Sequence, residues 1–153
     1  GYKFNKEIVK KLKSDFSKNI IGCKYSSYNV FQDLKLKDFL IFPGSEAKLL
    51  EGLELGCAGC ISAVTNVTHS ISRKVFDDFE NDKKQEKNKL LIQVRELFDK
   101  YHLISVLHSY LGADNDLYKN LLPPLEPLKE NDLKNLLKEL DNLKFGSKKA
   151  AWF

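Results

Sequence analysis

The residue pattern predicts an α/β fold with a parallel sheet, followed by a helical appendage. Three observations carry that prediction. Ile20-Ile21-Gly22-Cys23-Lys24, Phe39-Leu40-Ile41-Phe42 and Cys60-Ile61-Ser62-Ala63-Val64 are short apolar runs that suit strands buried on both faces. They alternate with helical patterns, as βαβ units do. After Val67 the strand signals stop, and only helical periodicity follows.

Taken in order, Asn5 reads as an N-cap for a helix over Lys6 to Lys13, with Ile8, Val9 and Leu12 on one face. Asp15 to Asn19 is a polar turn, and Ile20 to Lys24 is the first strand. A short helix is expected over Val30 to Leu36. Phe39 to Phe42 is the second strand, stopped by Pro43-Gly44. Ser45 caps a helix over Glu46 to Leu55, which Gly56 terminates. Cys60 to Val64 is the third strand. Helices are then expected over Ser70 to Asn81, Lys83 to Tyr101 and His102 to Leu111, the last closed by Gly112. Tyr118 to Leu128 holds three of the four prolines and reads as an extended loop. Glu130 to Leu143 is a final amphipathic helix carrying Leu133, Leu136, Leu137 and Leu140. The tail from Gly146 to Phe153 has no usable pattern, although Trp152 and Phe153 are expected to find a surface. The organisation divides into βα units over 1–68, helices over 69–145 and a tail over 146–153.

Composition narrows the function classes. The chain has 153 residues, 42% hydrophobic and 30% charged, as in an ordinary globular protein with a real core. No apolar run approaches the ~20 residues that span a bilayer, and no signal peptide is read in the sequence, so neither a secretory leader nor a membrane partner is expected. The net charge of +4 comes from lysines that alternate with acids. That is a solvated surface and not the clustered basic face of a nucleic-acid binder. Three cysteines, an odd number without a signal peptide, argue for a reducing, cytoplasmic setting. Cys57-Ala58-Gly59-Cys60 is formally a C-x-x-C, but His102 and His108 lie too far downstream for a compact zinc finger, and Cys60 sits in an apolar run as a small hydrophobe. No metal site is assigned. Gly1 is not a natural translation start and the chain contains no methionine, so something upstream is expected to be missing.

Lys24 is the residue that calls for chemistry. A strand buried on both faces has no obvious place for an ammonium group. If Lys24 points inward at the strand end, burial disfavours its charged form, and a neutral amine is a nucleophile able to form a Schiff base with a carbonyl. The alternative is a lysine that snorkels to solvent as the strand ends.

The sequence resembles a known family at several points. Ile20-Ile21-Gly22-Cys23-Lys24-Tyr25-Ser26-Ser27, Pro43-Gly44-Ser45-Glu46 and Gly59-Cys60-Ile61-Ser62-Ala63-Val64-Thr65-Asn66-Val67 occur in order and at family-like spacing. Together they resemble the dihydrodipicolinate synthase / N-acetylneuraminate lyase family of class I pyruvate-dependent aldolases. The resemblance runs from Gly1 to about Phe145 and includes the Pro123-Pro124-Leu125-Glu126-Pro127-Leu128 loop. It implies a TIM (β/α)8 barrel with a C-terminal helical extension, the three strands being the sixth, seventh and eighth. It also implies that the chain is the C-terminal half. The family's Thr-Thr pair, tyrosine proton shuttle and carboxylate-binding arginine would then lie upstream of Gly1.

The resemblance further implies site roles. Lys24 matches the Schiff-base lysine, at the strand's C-terminal end where barrel active sites are built. Gly44, Ser45 and Glu46 match the loop that contacts the second substrate, although Ser45 and Glu46 also suit helix capping and a first-turn acid. Ile61 matches the residue whose backbone lies near bound pyruvate, and its side chain is expected to pack in the core. The implied partners are pyruvate, an aldehyde, the upstream half of the barrel and further copies in a homotetramer or homodimer. No cofactor is implied, because the imine is the electron sink.

Lysine-pathway dihydrodipicolinate synthesis ranks first among the implied reactions. A 2-keto-3-deoxy sugar-acid aldolase or N-acetylneuraminate lyase is the runner-up. Tyr25 and Tyr28 stand where synthases often have an acid and a glycine, and Gly44-Ser45-Glu46 stands where they often have Gly-Asp-Asp or Gly-Asn-Asp, so the aldehyde stays open. A reading of another class is a non-catalytic half-barrel that binds or assembles. An intact reading frame that continues upstream through Thr-Thr and Tyr would discriminate the enzyme from it.

Overall fold

The computed structural model describes residues 4–26 and 36–146. The helix expected over Val30 to Leu36 lies, apart from Leu36, outside the described residues. So do Ser27, Tyr28 and the tail with Trp152 and Phe153.

Helix α1 (Lys6–Asp15) starts where Asn5 predicts, its side-chain oxygen accepting the Ile8 N–H at 2.9 Å. Strands β1 (Gly22–Tyr25) and β2 (Leu40–Pro43) pair in parallel, with Cys23 opposite Ile41 and Lys24 opposite Phe42. The Ser45 hydroxyl accepts the Ala47 N–H and opens a single 3-10 turn, Glu46–Lys48, that runs into α2 (Leu49–Glu54). Gly56 ends that helix at φ +87°, a left-handed conformation that glycine adopts without penalty.

The third run departs from expectation. Residues 57–62 lie along the free edge of β2, where Ala58 N–H donates to Ile41 O (2.9 Å) and Ile61 N–H to Pro43 O (3.0 Å). These two bonds do not build a ladder, and the sheet among the described residues has two strands. The run also ends early. The Thr65 hydroxyl bonds the Ser62 carbonyl and the Asn66 amide bonds the Ala63 carbonyl, which closes a helical turn over residues expected to be extended. Helix α3 (Thr65–Glu80) therefore starts before Ser70.

Helix α4 (Asn88–Phe98) is shorter than the expected span over Lys83 to Tyr101. The Lys83 N–H turns back to Asp78 O and the Gln85 amide to Val75 O, so 83–87 is a connection. Helix α5 (Leu103–Gly112) follows as expected. His108 Nδ1 lies 2.7 Å from the Tyr118 carbonyl and ties α5 to the 3-10 turn Asp116–Lys119. That turn takes the first two residues of the expected proline loop. Helix α6 (Glu130–Asn142) closes the described chain.

The core is mostly helical. Val64, Val94, Phe98, Val106, Leu107, Leu136 and Leu140 form one cluster, and Leu49, Leu53, Val75 and Leu91 a second. A smaller cluster joins one sheet face to α1, with Ile41 and Cys57 buried and Val9, Cys23 and Tyr25 packed on them. The other sheet face is open. Leu40 is 46% exposed and Lys24 is exposed, so β1 and β2 are not buried on both faces. The physical reason is that the described helices pack against only one side of these strands.

Candidate active site

Side chains alternate across a strand, so the parallel register sorts the sheet's two faces. Cys23, Tyr25 and Ile41 belong to the face that packs toward α1. Gly22, Lys24, Leu40 and Phe42 share the open face. Lys24 is the ionisable residue on that open face of β1 and β2, one residue from the C-terminal end of β1. Its expected burial is not met among the described residues.

Gly44 backs the lysine. Its N–H donates to Tyr25 O at 3.0 Å, which extends the pairing one step beyond β2. A Cβ added there would lie 2.2 Å from Ser26 Oγ and 3.3 Å from Lys24 Cε. The Lys24 chain and the Ser26 hydroxyl thus occupy the space that any side chain at residue 44 would need. Sequence reasoning named Lys24 and Gly44 separately, and the structure brings them together, with Ser26 added.

The next two side chains bond to groups other than the lysine. Ser45 is buried, and its hydroxyl is engaged in the cap. Glu46 is 0% exposed, and its Oε2 accepts from Arg95 Nη1 of α4 at 3.1 Å. The same Nη1 donates to Ser62 Oγ at 2.9 Å, while Arg95 Nε reaches both oxygens of Asp99 at 2.8 and 2.9 Å. Burial works against the Arg95 charge, but Asp99 and Glu46 outweigh it, and its pKa is raised. Burial, and then the Glu46 carboxylate, pushes the neighbouring Cys60 thiol up to about 11.

Ile61 is tied to β2 through its backbone. Its N–H is bonded to Pro43, but its side chain is 48% exposed, which corrects the expected core packing. Because 57–62 and β1 flank β2 on opposite edges, Ile61 and Lys24 stand about two strand spacings apart, roughly 10 Å.

Arg95 was missed by sequence reasoning, which used its helix only for apolar periodicity. A signal existed. Arg73 and Arg95 are the only arginines among 25 basic residues. A planar guanidinium serves where several oxygens must be held at once. The signal is not clean, since Arg73 merely pairs with Asp77 over the Phe76 ring on the surface.

Among the described residues, no group of three or more His, Cys, Asp or Glu side chains is placed to hold a metal, and no helix is long and apolar enough to cross a membrane. Among the described residues, a groove of about 440 Å³ runs between α2 and α4, is lined in part by Arg95 and does not include Lys24.

The chain is similar to known proteins. A 2-dehydro-3-deoxy-D-gluconate/2-dehydro-3-deoxy-phosphogluconate aldolase of Picrophilus torridus is 30% identical over 132 residues, which cover 80% of this chain and 48% of that protein. The solved 2-keto 3-deoxygluconate aldolase of Picrophilus torridus superposes with a TM-score of 0.70 at 28% identity, over 83% of this chain and 48% of that one. A prophage protein of the dihydrodipicolinic acid synthase family from E. coli K12, solved in complex with pyruvate, superposes with a TM-score of 0.80 at 23% identity, over 92% of this chain and 51% of that one. The chain thus spans about half the length of the relatives it matches. The described residues are a partial α/β fold of two parallel strands and six α-helices, consistent with part of a barrel. The model of the dihydrodipicolinate synthetase family matches residues 1–143, and this chain belongs to that family.

Proposed function

We propose that this chain carries the imine-forming lysine of a pyruvate-dependent, Schiff-base aldolase. β1, β2 and the 57–62 run are read as the sixth to eighth strands of a (β/α)8 barrel, with the open face as the barrel interior. The observation that carries the reading is the Lys24 side chain on that face, held over a glycine that leaves it room. The neutral Lys24 amine adds to the ketone carbon of pyruvate and water leaves. The resulting iminium draws electrons from the methyl carbon, which loses a proton to give an enamine. The enamine carbon attacks an aldehyde, and water then releases the product and restores Lys24. In the cleavage direction the same steps run backwards. The protonated imine is the electron sink, so the chemistry calls for no metal or organic cofactor.

For the aldehyde, likeness to relatives supports two readings. The 30%-identical aldolase of Picrophilus torridus supports a 2-dehydro-3-deoxy sugar acid as the molecule made or cleaved. Dihydrodipicolinate synthesis is the second reading, supported by membership of the family whose description carries that name. In either reading the peptide at Ile61 borders pyruvate and the loop from Gly44 to Glu46 borders the aldehyde.

The test is borohydride reduction of the intact protein with pyruvate. One reduced pyruvyl adduct is expected, on the peptide containing Lys24, and none in Lys24→Ala. Labelling of a different lysine would overturn the mechanism. Comparing cleavage of 2-dehydro-3-deoxygluconate with condensation of pyruvate and aspartate semialdehyde then ranks the two readings.

A further inference from the structure

We infer that Arg95 is a positioning residue for this reaction, a buried clamp that fixes the two loops flanking the open face at its lysine end. The inference rests on the proposed aldolase reading and deepens it. Three observations carry it. Glu46 is fully buried within two residues of Gly44, the residue that backs Lys24 and Ser26. Ser62 follows Ile61, whose N–H is bonded to the last residue of β2. A single atom, Arg95 Nη1, bonds both Glu46 Oε2 and Ser62 Oγ.

The clamp is held from behind. Arg95 Nε is anchored by Asp99, one helical turn further along α4, so the guanidinium has little freedom to swing. The side chain spans from the helical layer to both loops. Glu46 depends on it, because its other oxygen, Oε1, has no hydrogen-bond partner among the described residues. A buried carboxylate deprived of its cation must neutralise or move. Either response displaces the loop whose first residue clears the path of Lys24. Glu46 therefore acts through Arg95, with its carboxylate turned away from substrate.

A positioning role predicts a particular kinetic signature. Borohydride trapping reads imine formation as an end point that imperfectly positioned loops still reach, whereas turnover through carbon–carbon bond formation needs both loops in register, and misplacement by about 1 Å can cost about 10²-fold. Arg95→Met and Glu46→Gln in the intact protein should each lower kcat with the aldehyde present by about 10- to 100-fold. Borohydride trapping of pyruvate on Lys24 should persist in both. Because the residues act as one unit, the double variant should be little worse than either single one. Arg95→Lys keeps the charge but loses the fork, and should recover only part of the rate. Arg73→Met, at the exposed arginine, should leave rate and trapping unchanged.

Turnover per folded molecule that stays normal in Arg95→Met, with only the melting temperature lowered, would overturn the inference and leave a purely structural ion pair. Should Arg95→Met not fold, Ser62→Ala decides, since it cuts one arm of the clamp and leaves the buried pair intact. A severalfold fall in kcat supports the clamp, and no change overturns it. Failure of wild-type protein to trap pyruvate at all would instead count against the aldolase reading on which the clamp depends.

Discussion

The sheet layer and the helical layer of this chain are built on opposite terms. In the helical layer Val94, Phe98, Val106 and Leu136 are all 0% exposed, closed on every side by α3 to α6 and their connections. In the sheet layer one face is packed and the other carries an exposed lysine beside a half-exposed leucine. The helical layer can hold itself together from local amphipathic faces. The sheet layer keeps the lysine proposed to form the imine on a surface that the described helices leave bare. Stability and reactivity should therefore separate, and substitutions in the two layers should fail in different ways.

The largest effect expected is at Lys24. Lys24→Ala should lower turnover of the intact protein by about three orders of magnitude or more, which corresponds to about 4 kcal/mol of barrel chemistry lost. Its thermal midpoint should hardly move, because the exposed side chain contributes little packing. Phe98→Ala is the converse. Phe98 is the largest fully buried side chain among the described residues and stacks edge-on to Tyr110 with ring centroids 5.5 Å apart. Its truncation should cost about 3–5 kcal/mol, seen as a drop of roughly 10 °C in the melting temperature, with the rate per folded molecule nearly kept. A Lys24→Ala variant that unfolds, or a Phe98→Ala variant that folds well but cannot turn over, would break the separation.

The same contrast explains what was legible in the sequence. Helices with strong periodicity and local caps were readable, because Asn5 and Ser45 act on N–H groups two or three residues away. The position of Lys24 at a strand end was readable for the same local reason. The open face was not, because an apolar strand records that it wants burial and not whether this chain supplies the cover. Ile61 shows the point: it reads as core and stands half exposed. The third run was misjudged because Thr65 and Asn66 start a helix by side-chain bonds that compete with extended backbone. Arg95 was invisible to periodicity, since its partner Glu46 is 49 residues away. The fold-level likeness came instead from three motifs in order, a signal that local physics alone would not have assembled.

An intermediate effect is expected at the seam between the layers. Cys60 contacts the helical cluster of Leu49 and Leu53, and burial, with Glu46 behind it, raises its thiol to about 11. Cys23, Cys57 and Tyr110 are also raised, each chiefly by burial. The sign follows from linkage. In each case the folded protein holds its proton to higher pH than the unfolded chain, and for Cys60 the contribution is complete below the unfolded thiol value near 8.5. It is lost as pH rises from there toward 11, because the unfolded chain then binds fewer protons. Urea midpoints should fall between pH 8.5 and 11, and Cys60→Ser should flatten that fall. Alkylation of Cys60 in the folded protein at pH 8 should be about 100-fold slower than for an unperturbed thiol, since reactivity follows the thiolate. Rapid neutral-pH alkylation of Cys60 in folded protein would mean that the seam is open to solvent.

The smallest effect expected in free energy concerns the open face, and it separates the layers most sharply. Leu40 and Ile61 are 46% and 48% exposed and border the edges and face that the described helices leave uncovered. Polar replacement there removes little buried area, so Leu40→Gln and Ile61→Gln in residues 1–153 should each change stability by no more than about 0.5 kcal/mol. Association should respond more strongly than stability. A bare face beside unpaired strand edges invites other chains to pair with it, and each apolar side chain removed weakens that contact by roughly 25 cal/mol per Å² of buried area. Sedimentation of residues 1–153 should therefore show self-association that the double variant Leu40→Gln/Ile61→Gln reduces while the melting temperature stays put. The same pair of changes at Leu136 and Leu140, both at or below 1% exposed, should unfold the chain instead. If the open-face variants were as destabilising as the helical ones, the two layers would share one continuous core, and Lys24 would have no bare surface on which to meet a substrate.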